Sequence, residues 1–492
     1  MVLVASCESM CDFSELPDVV WVRILSCLTL KERYHVSLTC HALQDVFNHP
    51  SLWYKCHITL LASSQRGLGH DDNILISQQQ LCLIEKFGKY FQDLDLAITG
   101  YVHAIPPHIG NVLAALNESC RYETLTLSIG TVLSKRDFWW ERPNSFDLKP
   151  VLEVIERSYR LKTLNIRSWP MYADIQSPDI VLDAINRNQI MKDTLSSLNL
   201  FYKTADNSTW STLNPHLPSP EGVMNTVSSL DSLECLKLQS PMLSNALICA
   251  LAEKRHVKLK RLAVLVVYSR RNESTNFPEI SAKSWLKLKQ SSPEVNVDFT
   301  LVTRMPAFEK SAVFKPEIPV SSINFMKYSE CTKEDLLSIA EKYHSSLKKF
   351  TDYSFSSDLD EQLLNLTEKC NHLNFLVYAG SLTHHTVTSL AKMRGRAWYY
   401  FQVCSENVIT TEQQSGVDEN QVLYQAADGT YELSSRLQYQ DELQRQAILE
   451  IMMQEVGLHL GRTWIPMDVK DDARMRLIDK IYADATASSE KL

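Results

Sequence analysis

Glycine is scarce in this sequence, 13 residues in 492, and nowhere do glycines gather into a loop that could cradle a phosphate. Nucleotide-dependent chemistry has little to be built from. GxSxG and HExxH are absent as well, and the 12 cysteines are scattered without one CxxC pair. That spacing suggests neither a zinc site nor a disulfide framework, and reduced thiols in an intracellular setting, cytoplasmic or nuclear, are the expectation. The pairs His384-His385 and Cys370-x-His372 lack further ligands at metal-site spacing. No run of about eighteen apolar residues occurs, so no membrane span is expected. The apolar start Met1-Val2-Leu3-Val4-Ala5 is too short for a signal core and has no positive charge ahead of it. A formal charge of −8 gives no overall attraction to nucleic acid or acidic membranes. Catalytic residues, cofactors and metals are not expected, nor are nucleic-acid or membrane partners. A general acid or base assembled by folding alone would leave no mark in the sequence.

What is present is an ordinary globular composition, 45% hydrophobic and 22% charged, with ample material for a core. Its most informative stretch runs from Ser14 to Trp53. Pro17 sits where a helix can start, because the missing amide hydrogen would be unpaired there anyway. Val20, Ile24 and Leu28 then recur every four residues, with Trp21 and Leu25 widening the stripe into one apolar helical face. Thr29 and Glu32 have the spacing of a capping box, which predicts a second helix over about 30–37. Val36, Leu38, Cys40 and Leu43 carry the apolar pattern onward, and Asn48-His49-Pro50 punctuates before Leu52 and Trp53. At about forty residues such a module buries too little to stand alone, so the rest of the chain or another protein must cover its apolar face.

These residues resemble an F-box. Leu16-Pro17, Val20, Ile24, Leu28, Val36-Ser37-Leu38-Thr39-Cys40 and Leu52-Trp53 match the family pattern, and Leu43 stands where many members carry tryptophan. The resemblance implies that Leu16, Pro17, Val20, Ile24, Leu28, Val36, Leu38, Cys40, Leu52 and Trp53 dock on Skp1. Through Skp1 it implies a cullin and a RING subunit that recruit a ubiquitin-charged enzyme, with the rest of the chain selecting the protein substrate. A Skp1-bound scaffold outside the ligase is the alternative.

From about residue 90 to 404 a second pattern recurs: Tyr122-x-x-Leu125-x-Leu127, Leu161-x-x-Leu164-x-Ile166, Leu195-x-x-Leu198-x-Leu200, Leu233-x-x-Leu236-x-Leu238, Leu259-x-x-Leu262-x-Val264 and Leu373-x-x-Leu376-x-Tyr378. Weaker copies fall at Leu94-x-Leu96, Val297-x-Phe299, Ile323-x-Phe325 and Leu347-x-x-Phe350. The alternation predicts short strands whose apolar residues are buried in a stack and whose interleaved residues face outward. Helix-like segments lie between them, at 150–159, 244–254 and 333–343. Strand plus helix at this spacing resembles a divergent leucine-rich-repeat array; a non-repetitive α/β domain is the alternative. The expected architecture is α/β: a small helical F-box (12–58), a helical connection (59–89), a leucine-rich-repeat-like solenoid (90–404) and a C-terminal cap (405–492) made of a hairpin at Asp428-Gly429 and a helix ended by Gly457. That last helix either covers the final repeat or binds a partner.

A solenoid binds through its interleaved strand residues, which marks Thr126, Ser128, Asn165, Arg167, Asn199, Phe201, Lys237 and Gln239 as the default contact surface for a protein substrate. Arg167, Phe201 and Lys237 are the chief candidates, since aromatic and cationic side chains carry much of interface energy. Trp139 and Trp140, in a long insertion, either pack back on the repeats or anchor a partner. The basic run Lys254 to Arg261 reads as a solvated turn ahead of an import signal or nucleic-acid patch, because no aromatic interleaves with it.

Overall fold

The computed structural model describes residues 16–61, 70–99, 106–130, 149–168, 179–201, 217–253, 258–268, 277–327, 329–410 and 435–467. Trp139, Trp140, the hairpin at Asp428-Gly429, residues 254–257 of the basic run and the segment from Asp471 lie outside the described residues. The chain divides into two compact units, the first drawn mainly from residues up to 236 and the second from 237 onward.

Three short helices open the first unit: α1 (Asp18–Ser26), α2 (Leu30–Ser37) and α3 (His41–Phe47). Pro17 precedes α1 with φ −56° and ψ 144°, the extended approach that lets a proline lead into a helix. Then come β1 (Lys55–Leu61), α4 (His70–Phe87), β2 (Asp93–Thr99), β3 (Thr124–Gly130), β4 (Thr163–Ser168) and β5 (Ser197–Asn199), with helices between successive strands. Each strand pairs in parallel with the next, and the register sets Cys56, Leu94, Leu125, Leu164 and Leu198 side by side. β6 (Cys235–Gln239) falls at the division in the chain. In the second unit β7 (Arg261–Val266), β8 (Asn296–Leu301), β9 (Val320–Phe325), β10 (Lys349–Asp352) and β11 (Phe375–Tyr378) again pair in parallel in chain order; after the short β12 (Leu382–Thr383), β13 (Tyr400–Val403) pairs with β11. Both units are thus strand–helix solenoids of leucine-rich type.

One column explains the spacing of the pattern. The residue three ahead of most register positions is buried: Trp53, Phe91, Tyr122, Leu161 and Leu195 in the first unit, and Leu259, Leu347, Leu373 and Trp398 in the second; on β8 the place is taken by the exposed Glu294. Trp53-x-x-Cys56-x-Ile58 is therefore itself a copy of the repeat. The first rung begins at Lys55, ahead of the expected start near residue 90, and the reason it escapes notice is chemical: tryptophan and cysteine occupy the places held elsewhere by leucine.

The interleaved strand positions are less open than alternation alone suggests. In a parallel sheet an interior strand has neighbours about 4.8 Å away on both sides, so short side chains in register cover one another. Thr126, Asn199 and Gln239 are buried accordingly. Buried polar groups pair across rungs, as where Asn324 donates to Thr300 Oγ1 (3.2 Å) and Thr351 donates to Asn324 Oδ1 (2.7 Å).

The C-terminal helix runs from Ser435 to Leu460, through Gly457 rather than ending there, and Gly461 with φ +66° follows it. It packs on the helix His384–Arg394 with Met452, Val456 and Leu460 buried and Ile451 exposed. Beyond it the chain covers the last strand. Trp464 Nε1 donates to Phe401 O (2.7 Å), Met467 N to Val403 O (2.8 Å), and Ser405 N to Met467 O (2.9 Å).

Candidate functional site

The three N-terminal helices close a small core of their own. Leu25, Val46, Leu52 and Trp53 are buried in it. The capping box forms as its spacing requires, with Glu32 N donating to Thr29 Oγ1 (3.4 Å); Thr29 N (2.8 Å) and Thr29 Oγ1 (2.8 Å) both donate to Glu32 Oε2 and hold its carboxyl below its ordinary range. Sequence reasoning overlooked Arg33. Its guanidinium donates to the carbonyls of Leu28 (2.9 Å), Leu52 (3.0 Å) and Ser26 (3.1 Å), tying the end of α1 and the start of α2 to the turn before β1. In the polar run Lys31-Glu32-Arg33 nothing in the sequence sets Arg33 apart from its charged neighbours.

Around that core the structure sorts the candidate residues into two groups. Pro17, Val20, Ile24, Leu38 and Cys40 are exposed, Ile24 by 42% and Leu38 by 64%, and Leu16, Leu28 and Val36 are half-buried. Val19, Leu30 and Tyr34, which the pattern did not single out, are exposed too. Leu52 and Trp53 fall in the other group. Trp53 is only 2% exposed, stacks on Phe87 at the end of α4 with centroids 3.9 Å apart, meets Phe47 edge-on at 5.1 Å, and donates Nε1 to Phe47 O (2.9 Å). This is a correction to the expected docking set: both residues are buried, and Trp53 braces the module against the end of α4.

On the repeats, Arg167 is half-exposed and ion-paired with Asp95 (3.0 Å), which also faces His57 (3.3 Å). Phe201 is half-buried. Lys237 is 3% exposed, so its expected place on an open contact surface is corrected as well: the strand position it occupies is covered. The structure does not gather Arg167, Phe201 and Lys237 into one open face.

No group of three or more His, Cys, Asp or Glu able to hold a metal occurs among the described residues, and burial pushes the Cys370 thiol up to about 12, far from a metal-binding thiolate. No described helix is long and apolar enough to cross a membrane.

A family model described as F-box-like matches residues 13–59. The curated F-box/LRR-repeat protein 21 of Mus musculus is 25% identical over 314 residues, covering 64% of this chain and 65% of that protein, just under two thirds of its length. Its Bos taurus counterpart is 24% identical over 370 residues, covering 74% of this chain and 76% of that protein. Among solved structures, the crystal structure of a TLR13–ssRNA13 complex aligns with 73% of this chain and 40% of its own at 13% identity, with a TM-score of 0.27. An F-box-like module whose closing tryptophan begins a run of parallel strand–helix repeats, matched in sequence by F-box/LRR-repeat proteins, supports assignment of this chain to the F-box/LRR family.

Proposed function

We propose that this chain is a substrate-recognition adaptor of a Skp1–cullin–F-box ubiquitin ligase, itself non-catalytic. The exposed side of α1 and α2 docks on Skp1, which links it to a cullin and its RING subunit, and the repeat region holds a protein substrate. The observation that carries this reading is the band of apolar side chains, Pro17, Val20, Ile24 and Leu38, left outside a module whose own core is already closed. Covering an aliphatic side chain is worth about 1.5 to 3 kcal/mol, and association entropy removes much of the sum. A few such residues together still suffice for a stable contact. The contribution to catalysis is proximity: holding a substrate lysine near the charged ubiquitin carrier raises its effective concentration without supplying a reacting group.

The test is co-precipitation from cells of the full chain and of its Ile24→Lys variant, probing for Skp1 and for the cullin. Wild type is expected to bring down both and the variant neither, because a lysine there would be buried unpaired. Skp1 without cullin points instead to a scaffold outside the ligase. Recovery of both with Ile24→Lys contradicts the docking assignment.

A further inference from the structure

The second unit carries one open aromatic row on an otherwise covered strand face. Register places Lys349 of β10, Phe375 of β11 and Tyr400 of β13 side by side. Phe375 and Tyr400 stack with centroids 4.7 Å apart and planes 19° from parallel, and Lys349 Nζ lies 4.5 Å from the Phe375 centroid. Two residues further along the same strands, Thr351 and Val377 are buried. The row at Lys349, Phe375 and Tyr400 is thus the more open part of this face, with Gln402 half-buried beyond it on β13. Next to it Tyr399 is 75% exposed, the largest exposure of any described aromatic singled out here.

The segments that enter these three strands carry one sign of charge, whereas those entering the adjoining β8 and β9 hold Glu294 and Glu317. The three segments that enter these strands, 342–349, 369–375 and 392–400, contain lysines and arginines and not one Asp or Glu, in a chain whose net charge is −8. Part of this has an internal explanation, since cations favour helix C-termini. Lys342 donates to Phe314 O (2.9 Å), and Arg394 to the carbonyls of Thr367 and Cys370 (2.5 Å each). Lys348, Lys392 and Arg396 remain exposed, and the helix dipole accounts for none of the aromatic surface.

We propose that this row docks an extended, acidic segment of a partner protein, its carboxylates on Lys348, Lys392 and Arg396 and its side chains against Tyr399 and Tyr400. Aromatic side chains rimmed by cations supply both contact area and charge complementarity. A single nucleic-acid strand fits less well: the Phe375 ring already lies between Lys349 and Tyr400, so no base can enter the stack, whereas single-strand binders offer free ring faces. The proposal rests on the adaptor reading only in taking the partner to be a protein.

The test uses the full chain co-expressed with Skp1 and measures fluorescence anisotropy with a labelled Glu-Tyr alternating peptide, a Lys-Tyr peptide and an oligo-deoxythymidine. The expected result is binding of the Glu-Tyr peptide alone, weakened by salt as screened charges require, and weakened about tenfold or more by Tyr399→Ser with Tyr400→Ser, and likewise by Lys348→Glu with Lys392→Glu. The second pair changes only exposed side chains, so unchanged melting temperature serves as the folding control. Absence of Glu-Tyr binding, equal binding by both double variants, or preference for the oligonucleotide overturns the proposal. Skp1 co-purification is read in parallel and belongs to the other end of the chain, so its loss counts against the adaptor reading and not against this row.

Discussion

Arg33 spends its guanidinium on three backbone carbonyls, and that makes it a positioning residue for the docking face, not part of it. Arg33→Met leaves those carbonyls without their donor, a cost on the order of 2 kcal/mol. The expected outcome is faster amide exchange across 18–37 and weaker Skp1 capture at nearly unchanged melting of the repeats; Arg33→Lys, which can reach one carbonyl, falls between. Asp352 poses a different residue-scale question. Its Oδ1 accepts from Ser354 N (2.7 Å) and Ser354 Oγ (2.5 Å), while Oδ2 is buried without a hydrogen-bond partner, and burial pushes the carboxyl up to about 6 from its ordinary 3.8. Between those values the folded state keeps a proton that the unfolded state has released. Stability therefore falls as pH rises through the window from about 4 to about 6, by on the order of 3 kcal/mol in full. Asp352→Asn keeps the Oδ1 acceptor and cannot ionise. Denaturant melts should show the variant gaining on wild type between pH 4 and pH 7; parallel curves would count against a strained carboxylate.

At the scale of elements, Trp53 joins the helical module to the repeats. Trp53→Ala opens a cavity beside Phe47 and Phe87 and is expected to cost about 3 to 5 kcal/mol, measured as a fall in melting temperature of the full chain. Downstream, the turn after β10 approaches β11 closely: Phe355 and Asp358 hold positive φ (59° and 56°), and a Cβ on Gly380 would collide with Ser356 O. Gly380→Ala should destabilise the second unit by at least about 1 to 3 kcal/mol, whereas Gly110→Ala, with open space around it, should not. Much of this architecture was legible in the sequence. The capping box at Thr29, the helix at 333–343 and the leucine copies each rest on local spacing, and local spacing survives without tertiary knowledge. The first rung and the inward turn of Trp53 were not legible, because one tryptophan answers to two patterns and only the pairing of β1 with β2 decides between them. Lys237 was misjudged for a related reason: alternation says which side of a strand a residue takes, and cross-rung neighbours decide whether that side is open.

For the molecule as a whole, two ends need protection. The terminal strand of the large sheet, β13, would present an open edge, a template for unwanted pairing, and the segment Trp464–Met467 supplies its hydrogen bonds while the C-terminal helix covers the adjoining helix. Truncation after Thr410 should leave Phe401 and Trp398 uncovered and drive aggregation, visible as early elution in size-exclusion chromatography; a monodisperse truncated chain would argue that the last repeat closes itself. At the other end Val19, Val20, Ile24 and Leu30 of α1 and α2 remain exposed, and the proposed function assigns that face to Skp1. The most direct measurement is competition calorimetry of Skp1 against the full chain, comparing wild type, Ile24→Lys and Leu38→Asp, each checked for melting temperature. Docking through this face requires loss of the binding heat for both variants at unchanged melting temperature. Binding within about twofold of wild type, a difference of roughly 0.4 kcal/mol, would contradict it.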